Sequence, residues 1–155
     1  LGSHHKFNKG LLLEESIRVP LIFWGSFRPQ TNTTQVAQLI DIMPTTLDLC
    51  GAEIPTTVQG RSLAPILHGA HKSLSENSAF IETAQGAIGL RTPTHLYGMQ
   101  IEQDLRIISA VGPCFYDLTA DPYEQNNLVG SSESALEMEL ARELTAWNAR
   151  TPWLQ

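Results

Sequence analysis

Between Val19 and Trp24 the chain reads VPLIFW, and Gly25 closes this apolar run. A run without polar alternation predicts a strand buried on both faces, the kind found in sheets covered by helices. Pro20 is tolerated near its start, where a missing N–H matters least. A single strand of this type cannot make a sheet, so its flanking strands are expected from elsewhere. The stretch TNTTQVAQLIDIMPTTLDLCG predicts two helical pieces. Thr33 or Thr34 can cap the first, with Val36, Leu39 and Ile40 on one face. Met43-Pro44 breaks the pattern, because proline disfavours helical dihedrals in its predecessor. Pro44 suits the first turn of a second helix, with Leu47 and Cys50 on its inner side and Gly51 as its stop.

AEIPTTVQGRSLAPILHG reads as a loop with a helical turn over Leu63–Leu67. From Ser78 the texture changes to short β-rich runs, SAFIETAQGAIGLRTPTHLYGMQ and LRIISAVGPCFYDL, with turn residues at Gln85-Gly86, Thr92-Pro93 and Gly112-Pro113. Three or four antiparallel strands follow from that pattern. DPYEQNNL is a turn-and-cap segment. SSESALEMELARELTAWNAR predicts an amphipathic helix capped by Ser132 or Ser134, with Leu136, Leu140, Leu144 and Trp147 on its apolar face. The fold class expected is α/β: one buried strand plus helices, then a small antiparallel sheet packed on a C-terminal helix. The division falls between residues 1–77 and 78–155.

Composition narrows the class. With 42% hydrophobic and 17% charged residues, the 155-residue chain is globular rather than disordered. Its formal charge of −6 and scattered basic residues argue against a surface that tracks nucleic acid. No stretch approaches the roughly 20 apolar residues of a membrane helix. Cys50 and Cys114 stand far apart, in no CxxC pair, and are expected as two buried thiols. Glu14 and Arg18, four apart, are expected as a structural pair. Asp41 and Thr45 are expected to pin helices, Arg61 and Ser62 to fix a loop, and Asp48 to face solvent. Asp117, Asp121 and Asn127 are expected to serve turns.

The opening LGSHHKFNKG admits two readings: the scar of a purification tag, or the edge of an active-site loop. The rest of the chain weighs on that choice. HHKFNKGLLLEESIRVPLIFWG, QLIDIMPTTLDLCGAEIP, QGRSLAPIL and FYDLTADPYEQNNL, in this order and spacing, resemble the C-terminal third of the sulfatases in the alkaline-phosphatase superfamily. The resemblance runs from His4 to Leu128. It favours native sequence at the opening, because His4 and Lys9-Gly10 match the H-x4-K-G stretch that precedes the family's E-S-x-R-V-P strand entry.

The resemblance implies that Lys9 reaches the substrate's sulfate and that His4 sits at the pocket mouth, able to donate to the leaving group or the ring. A tetrahedral anion needs compensating positive charge where water is excluded, and lysine supplies a compact charge with three donors. Solvated loop and surface roles are the plain alternatives for both. Two departures from the family's pattern matter: Leu13 stands where a Tyr is frequent, and His95-Leu96-Tyr97 replaces a basic-aromatic stretch. If that strand edge selects substrate, Arg91 and His95 are the residues to test, with packing as the alternative. The implied cofactors are a divalent cation, usually Ca²⁺, and a formylglycine made from a C/S-x-P-S-R motif; both belong upstream, and no metal ligands are expected within this chain.

The expected role is therefore a C-terminal sulfatase fragment, inactive alone, whose partners are the missing N-terminal part and a sulfate ester or sulfated sugar. Self-association through exposed core is a further expectation. A related phosphonate monoester hydrolase or phosphodiesterase is one alternative; a non-catalytic binding module is the other. The compartment is not readable from these residues.

Overall fold

The computed structural model describes residues 4, 10–26, 33–83, 86–100 and 112–151. Two compact units divide it: Leu1–Pro20 with Phe80–Gln155, and Leu21–Ala79. Each is described by itself.

The first unit is built on a four-stranded antiparallel sheet. Its strands are β1 (Ala79–Glu82), β2 (Ala87–Arg91), β3 (His95–Gln100) and β4 (Cys114–Asp117), side by side in chain order. Gly89 faces Gly98 between β2 and β3, and Tyr97 faces Phe115 between β3 and β4. Because side chains alternate along a strand, this register separates the sheet into two faces. Ile88, Leu90, Tyr97 and Phe115 point one way and meet Leu140 and Leu144 of helix α4 (Ser134–Arg150). Leu136 and Trp147 join them, and Trp147 stacks on Phe80 with ring centroids 4.8 Å apart. The predicted apolar face of this helix is thus the one it buries. Its cap differs from expectation: Glu133 holds the N-cap position without a side-chain cap bond. Instead the Glu137 carboxylate accepts the Gly130 N–H at 2.9 Å. The β-rich run at residues 105–111 lies outside the described residues.

The opposite face carries Ala87, Gly89, Gly98, Cys114 and Tyr116. Leu12 closes it. A Cβ on Gly89 or Gly98 would lie 2.9 or 2.4 Å from the Leu12 side chain, so the facing glycines form the notch that admits the leucine. The four-residue helix α1 (Glu14–Ile17) follows directly. Residues of the opening segment, expected with the first region, therefore pack with the later sheet.

The second unit holds a 3₁₀ turn (Leu39–Asp41), helix α2 (Ile42–Leu49) and helix α3 (Ala64–Leu67). Gly51, with φ +67°, ends α2, and the Ala52 N–H returns to the Leu47 carbonyl at 2.9 Å. Pro44 lies in the first turn, where its missing N–H costs nothing.

Three expectations are corrected here. Val19–Trp24 is not a buried strand: its backbone forms no regular element, and Ile22 and Trp24 are 81% and 97% exposed. A strand needs a neighbour for its N–H and C=O groups, and the four strands among the described residues pair with one another. The first predicted helix is also absent, because tertiary partners take the groups it would use. Asn77 accepts the Val36 N–H at 2.7 Å, the Gln35 amide accepts from Leu74 at 2.7 Å, and Arg61 reaches the Val36 carbonyl. Finally, Cys50 is exposed while Cys114 is buried. Cys50 is already the C-cap of α2, beyond the turn that buries Pro44 and Thr45.

Candidate functional site

The segment that follows His4 and Lys9 is fastened to the glycine face of the sheet by three devices. Leu12 fills the notch just described. The Glu14 carboxylate receives the Arg91 guanidinium two-pronged, Nε to Oε1 at 3.2 Å and a terminal nitrogen to Oε2 at 3.3 Å. Arg18 approaches the same carboxylate at 3.7 Å from a mostly exposed position. The Glu14 backbone N–H, first in α1, donates to the Glu124 carboxylate at 2.8 Å. At the segment's near end Gly10, with φ +104°, donates its N–H to the Ser16 hydroxyl at 3.1 Å.

Glu124 is held on its side by a turn whose residues behave as their types predict. Asp121 accepts the Asn126 N–H at 2.7 Å, and the Glu124 N–H returns to the Asp121 carbonyl at 3.1 Å. Asn127 accepts the Phe115 N–H at 3.0 Å, and the Leu128 N–H donates to the Phe115 carbonyl, which ties the turn to β4. Asp117 accepts the Thr119 and Ala120 N–H groups.

The site residues expected from the sequence meet different fates. Lys9 lies outside the described residues. His4 is half-buried with φ +51°, a left-handed conformation unusual for a non-glycine residue. Arg91 and His95 flank one hairpin turn but point to opposite faces, since Arg91 pairs with Leu96 and His95 with Asp117. Arg91 is occupied by Glu14. The His95 ring stacks on Phe115 at 5.5 Å, meets the Thr94 hydroxyl at 2.9 Å and approaches Glu133 at 3.5 Å. No single pocket receives both side chains.

Cys114 offers no nucleophile. Burial first, and then the Glu124 charge, push the Cys114 thiol up to about 11, so it stays protonated. Tyr116 beside it is pushed up to about 12, chiefly by burial. Among the described residues no group of three or more His, Cys, Asp or Glu could hold a metal ion. Neither cysteine stands in a C/S-x-P-S-R setting. Among the described residues the metal that sulfatases imply therefore finds no fitting ligands, neither cysteine suits the formylglycine, and no chemical step is routed through either group.

The second unit presents a shallow cleft of about 530 Å³ lined by Arg61, His71, Ser73, Leu74, Ser75 and Glu76. Arg61 is not free to receive an anion there. Its guanidinium donates to the carbonyls of Glu76, Val36 and Ser78 and lies 3.6 Å from Asp41. Asp41 is wholly buried, and its carboxylate accepts the Gln38 N–H at 2.9 Å and the Arg61 N–H at 2.8 Å. Thr45 donates to the Asp41 carbonyl and accepts the Leu63 N–H at 2.9 Å. Ser62 donates to Asp48, which gives that exposed carboxylate a partner. This is a structural knot, as expected of the GRSL and DIMPT stretches.

Residues 2–150 match the family described as N-sulphoglucosamine sulphohydrolase, C-terminal. The chain belongs to this sulfatase family. It is 30% identical over 152 residues to an N-acetylglucosamine-6-O-sulfatase of Bacteroides thetaiotaomicron, covering 93% of this chain and 27% of that protein. It is 28% identical to the multifunctional alkaline phosphatase superfamily protein PehA of Trinickia caryophylli, covering 95% of this chain and 32% of the other. A protein solved in complex with its substrate D-glucosamine-2-N,6-O-disulfate is similar in fold, with a TM-score of 0.55 and 29% identity over 70% of this chain and 24% of that one. The chain thus spans about a quarter to a third of the length of these proteins. It is a C-terminal sulfatase portion with an α/β fold, as the motif order implied.

The sequence did not reveal the role of Glu124. The one available signal was a glutamate inside DPYEQNN, where the flanking Asp and Asn residues all serve the turn.

Proposed function

We propose that the intact protein hydrolyses sulfate esters of amino sugars, and that this chain supplies the cationic rim of its active site rather than the reaction centre. The match to the sulfatase family over residues 2–150 carries the reading. The relative that acts on N-acetylglucosamine 6-O-sulfate and the neighbour solved with a disulfated glucosamine support the substrate class.

In this reading Lys9 places its ammonium against a sulfate oxygen. At about 4 Å and an effective dielectric near 20, that contact is worth about 4 kcal/mol before desolvation. As charge moves onto the bridging oxygen, His4 at the mouth donates a proton or a hydrogen bond to it. Arg91 serves by holding Glu14, and through it the segment that carries both residues. His95 acts through its stacking on Phe115. The nucleophile, and any cation, belong to polypeptide outside these residues.

The test is turnover of 6-O-sulfated N-acetylglucosamine. The isolated chain should show none. In the intact enzyme Lys9→Ala should lower kcat/KM by about a hundredfold, whereas unchanged kinetics would remove Lys9 from the site. The likeness to PehA favours one second reading, a phosphoryl-ester hydrolase. A phosphonate monoester turned over faster than the sulfated sugar would select it.

A further inference from the structure

Helix α2 and the 3₁₀ turn before it are amphipathic the wrong way round for water. The side chains they close off are Asp41, Pro44 and Thr45, whereas Leu39, Ile40, Ile42 and Met43 stand between 38% and 64% exposed. Leu39, Ile42, Met43, Thr46 and Cys50 recur three or four apart, so these exposed residues form one stripe along the outer side. No charge interrupts it. Between Gln35 and Cys50 the only charged residues are Asp41, which is buried, and Asp48, which accepts the Ser62 hydroxyl; both fall on the opposite row. Thr46 turns its hydroxyl back to the Ile42 carbonyl at 2.8 Å and so asks nothing of water.

The polar knot fixes which side faces out. Asp41 accepts the Gln38 and Arg61 N–H groups, Thr45 accepts the Leu63 N–H, and Gly60 lies too close beneath the Ile40 carbonyl to admit a side chain. Rolling α2 to hide its apolar residues would strand these buried groups. We propose that the stripe is a docking face for the remainder of the same polypeptide, and that an apolar, uncharged surface of that remainder covers it. Two observations choose this occupant. The chain spans only 27% and 32% of two relatives that match nearly all of it, so a parent of that kind carries ample polypeptide to cover the stripe. The stripe is also small: it bares a few hundred Å², against roughly 800 Å² per partner in a stable interface between separate molecules. A partner joined covalently needs less area, because it loses little translational freedom on docking. A charged surface would lose its water against the stripe and gain no partner. Docking there is independent of which ester the protein cleaves.

Hydroxyl-radical footprinting, read residue by residue with mass spectrometry, compares the 155-residue chain with the intact protein and needs no activity assay. Met43 and Cys50 should be modified at least about tenfold more slowly in the intact protein, because a packed interface core excludes water. Met138 of α4 is exposed as well, but Arg142 lies one turn on, and its rate should agree between the two to within about twofold. Equal rates at Met43 in chain and intact protein would overturn the proposal. So would equal slowing of Met138, which marks general burial rather than a docking stripe. A second copy of the chain is the rival occupant. Slowing of Met43 in the isolated chain as its concentration rises, with a dimer in sedimentation and no slowing in the intact protein, would select that rival and overturn the proposal.

Discussion

In the sheet unit the side chains wholly closed off from water are Phe115, Ile88, Leu90, Leu96 and Leu144; in Leu21–Ala79 they are Asp41, Thr45 and Pro44. The most deeply buried side chains of the first unit are apolar, whereas the second closes off Asp41 and Thr45 alongside buried Val36, Leu63, Ala64 and Ile66, while Leu39, Ile40, Ile42 and Met43 of the second stand exposed. The difference teaches what each tolerates. An apolar core loses stability in proportion to the surface and volume removed. A buried polar knot fails abruptly, because one deletion strands several groups that water cannot reach.

The largest effect should come from Asp41→Ala, which orphans the Arg61 and Gln38 N–H groups and leaves the Arg61 charge without its acid. A loss of about 3–5 kcal/mol is expected, read by denaturant unfolding and by lost protection of the Arg61 and Leu63 amides. If the second unit were held mainly by apolar contacts instead, this variant would cost under about 1 kcal/mol. Next comes Leu144→Ala, at about 2–5 kcal/mol, graded by how far the core collapses onto the vacated volume.

A pH effect of about 1–3 kcal/mol should follow in the sheet unit. The folded Glu124 value, about 7, lies above the ordinary 4.5, so its contribution is fully present below 4.5 and is lost as pH rises to 7. Asp117 and Asp121, held below the usual range chiefly by backbone N–H groups, act the other way and lose their contribution as pH falls. Thermal melts of the parent chain and Glu124→Gln across this range separate the two limbs.

Smaller still is Arg91→Lys, expected to cost about 1 kcal/mol by replacing a two-pronged contact with a single one. The smallest effect on folding should be the double change Ile22→Ser with Trp24→Ser, within about 0.5 kcal/mol, since both side chains are exposed. The same variant should reduce any self-association of the chain in sedimentation. Unchanged association would exonerate the VPLIFW run.

Legibility in the sequence followed locality. Helix α4 was readable because its apolar residues recur every three to four positions, and the Asp-Pro and Asn-Asn turn because each short polar side chain bonds its own neighbourhood. Gly51 as a helix stop and the short turn at α3 belong to the same class. Misreadings arose where distant partners decided. Val36, Leu39 and Ile40 have a helical spacing, yet Asn77, Leu74 and Arg61 hold the backbone around Gln35 and Val36 out of a helix. For Arg91 the sequence left substrate selection and packing both open, and Glu14, far away in sequence, engages its guanidinium.

By itself the amino-acid order determined the family, the existence of the sheet and terminal helix, and the turn chemistry, since these depend on residue types and spacings within a few turns of chain. Only the tertiary structure decided that Leu12 enters a notch of facing glycines, that Arg91 and His95 turn to opposite faces, and that Glu124 is buried with one oxygen unpaired among the described residues. Those facts depend on strand register and on contacts across more than seventy residues. Alternation along one strand cannot announce its neighbour, because either face is equally open to a side chain until the partner arrives.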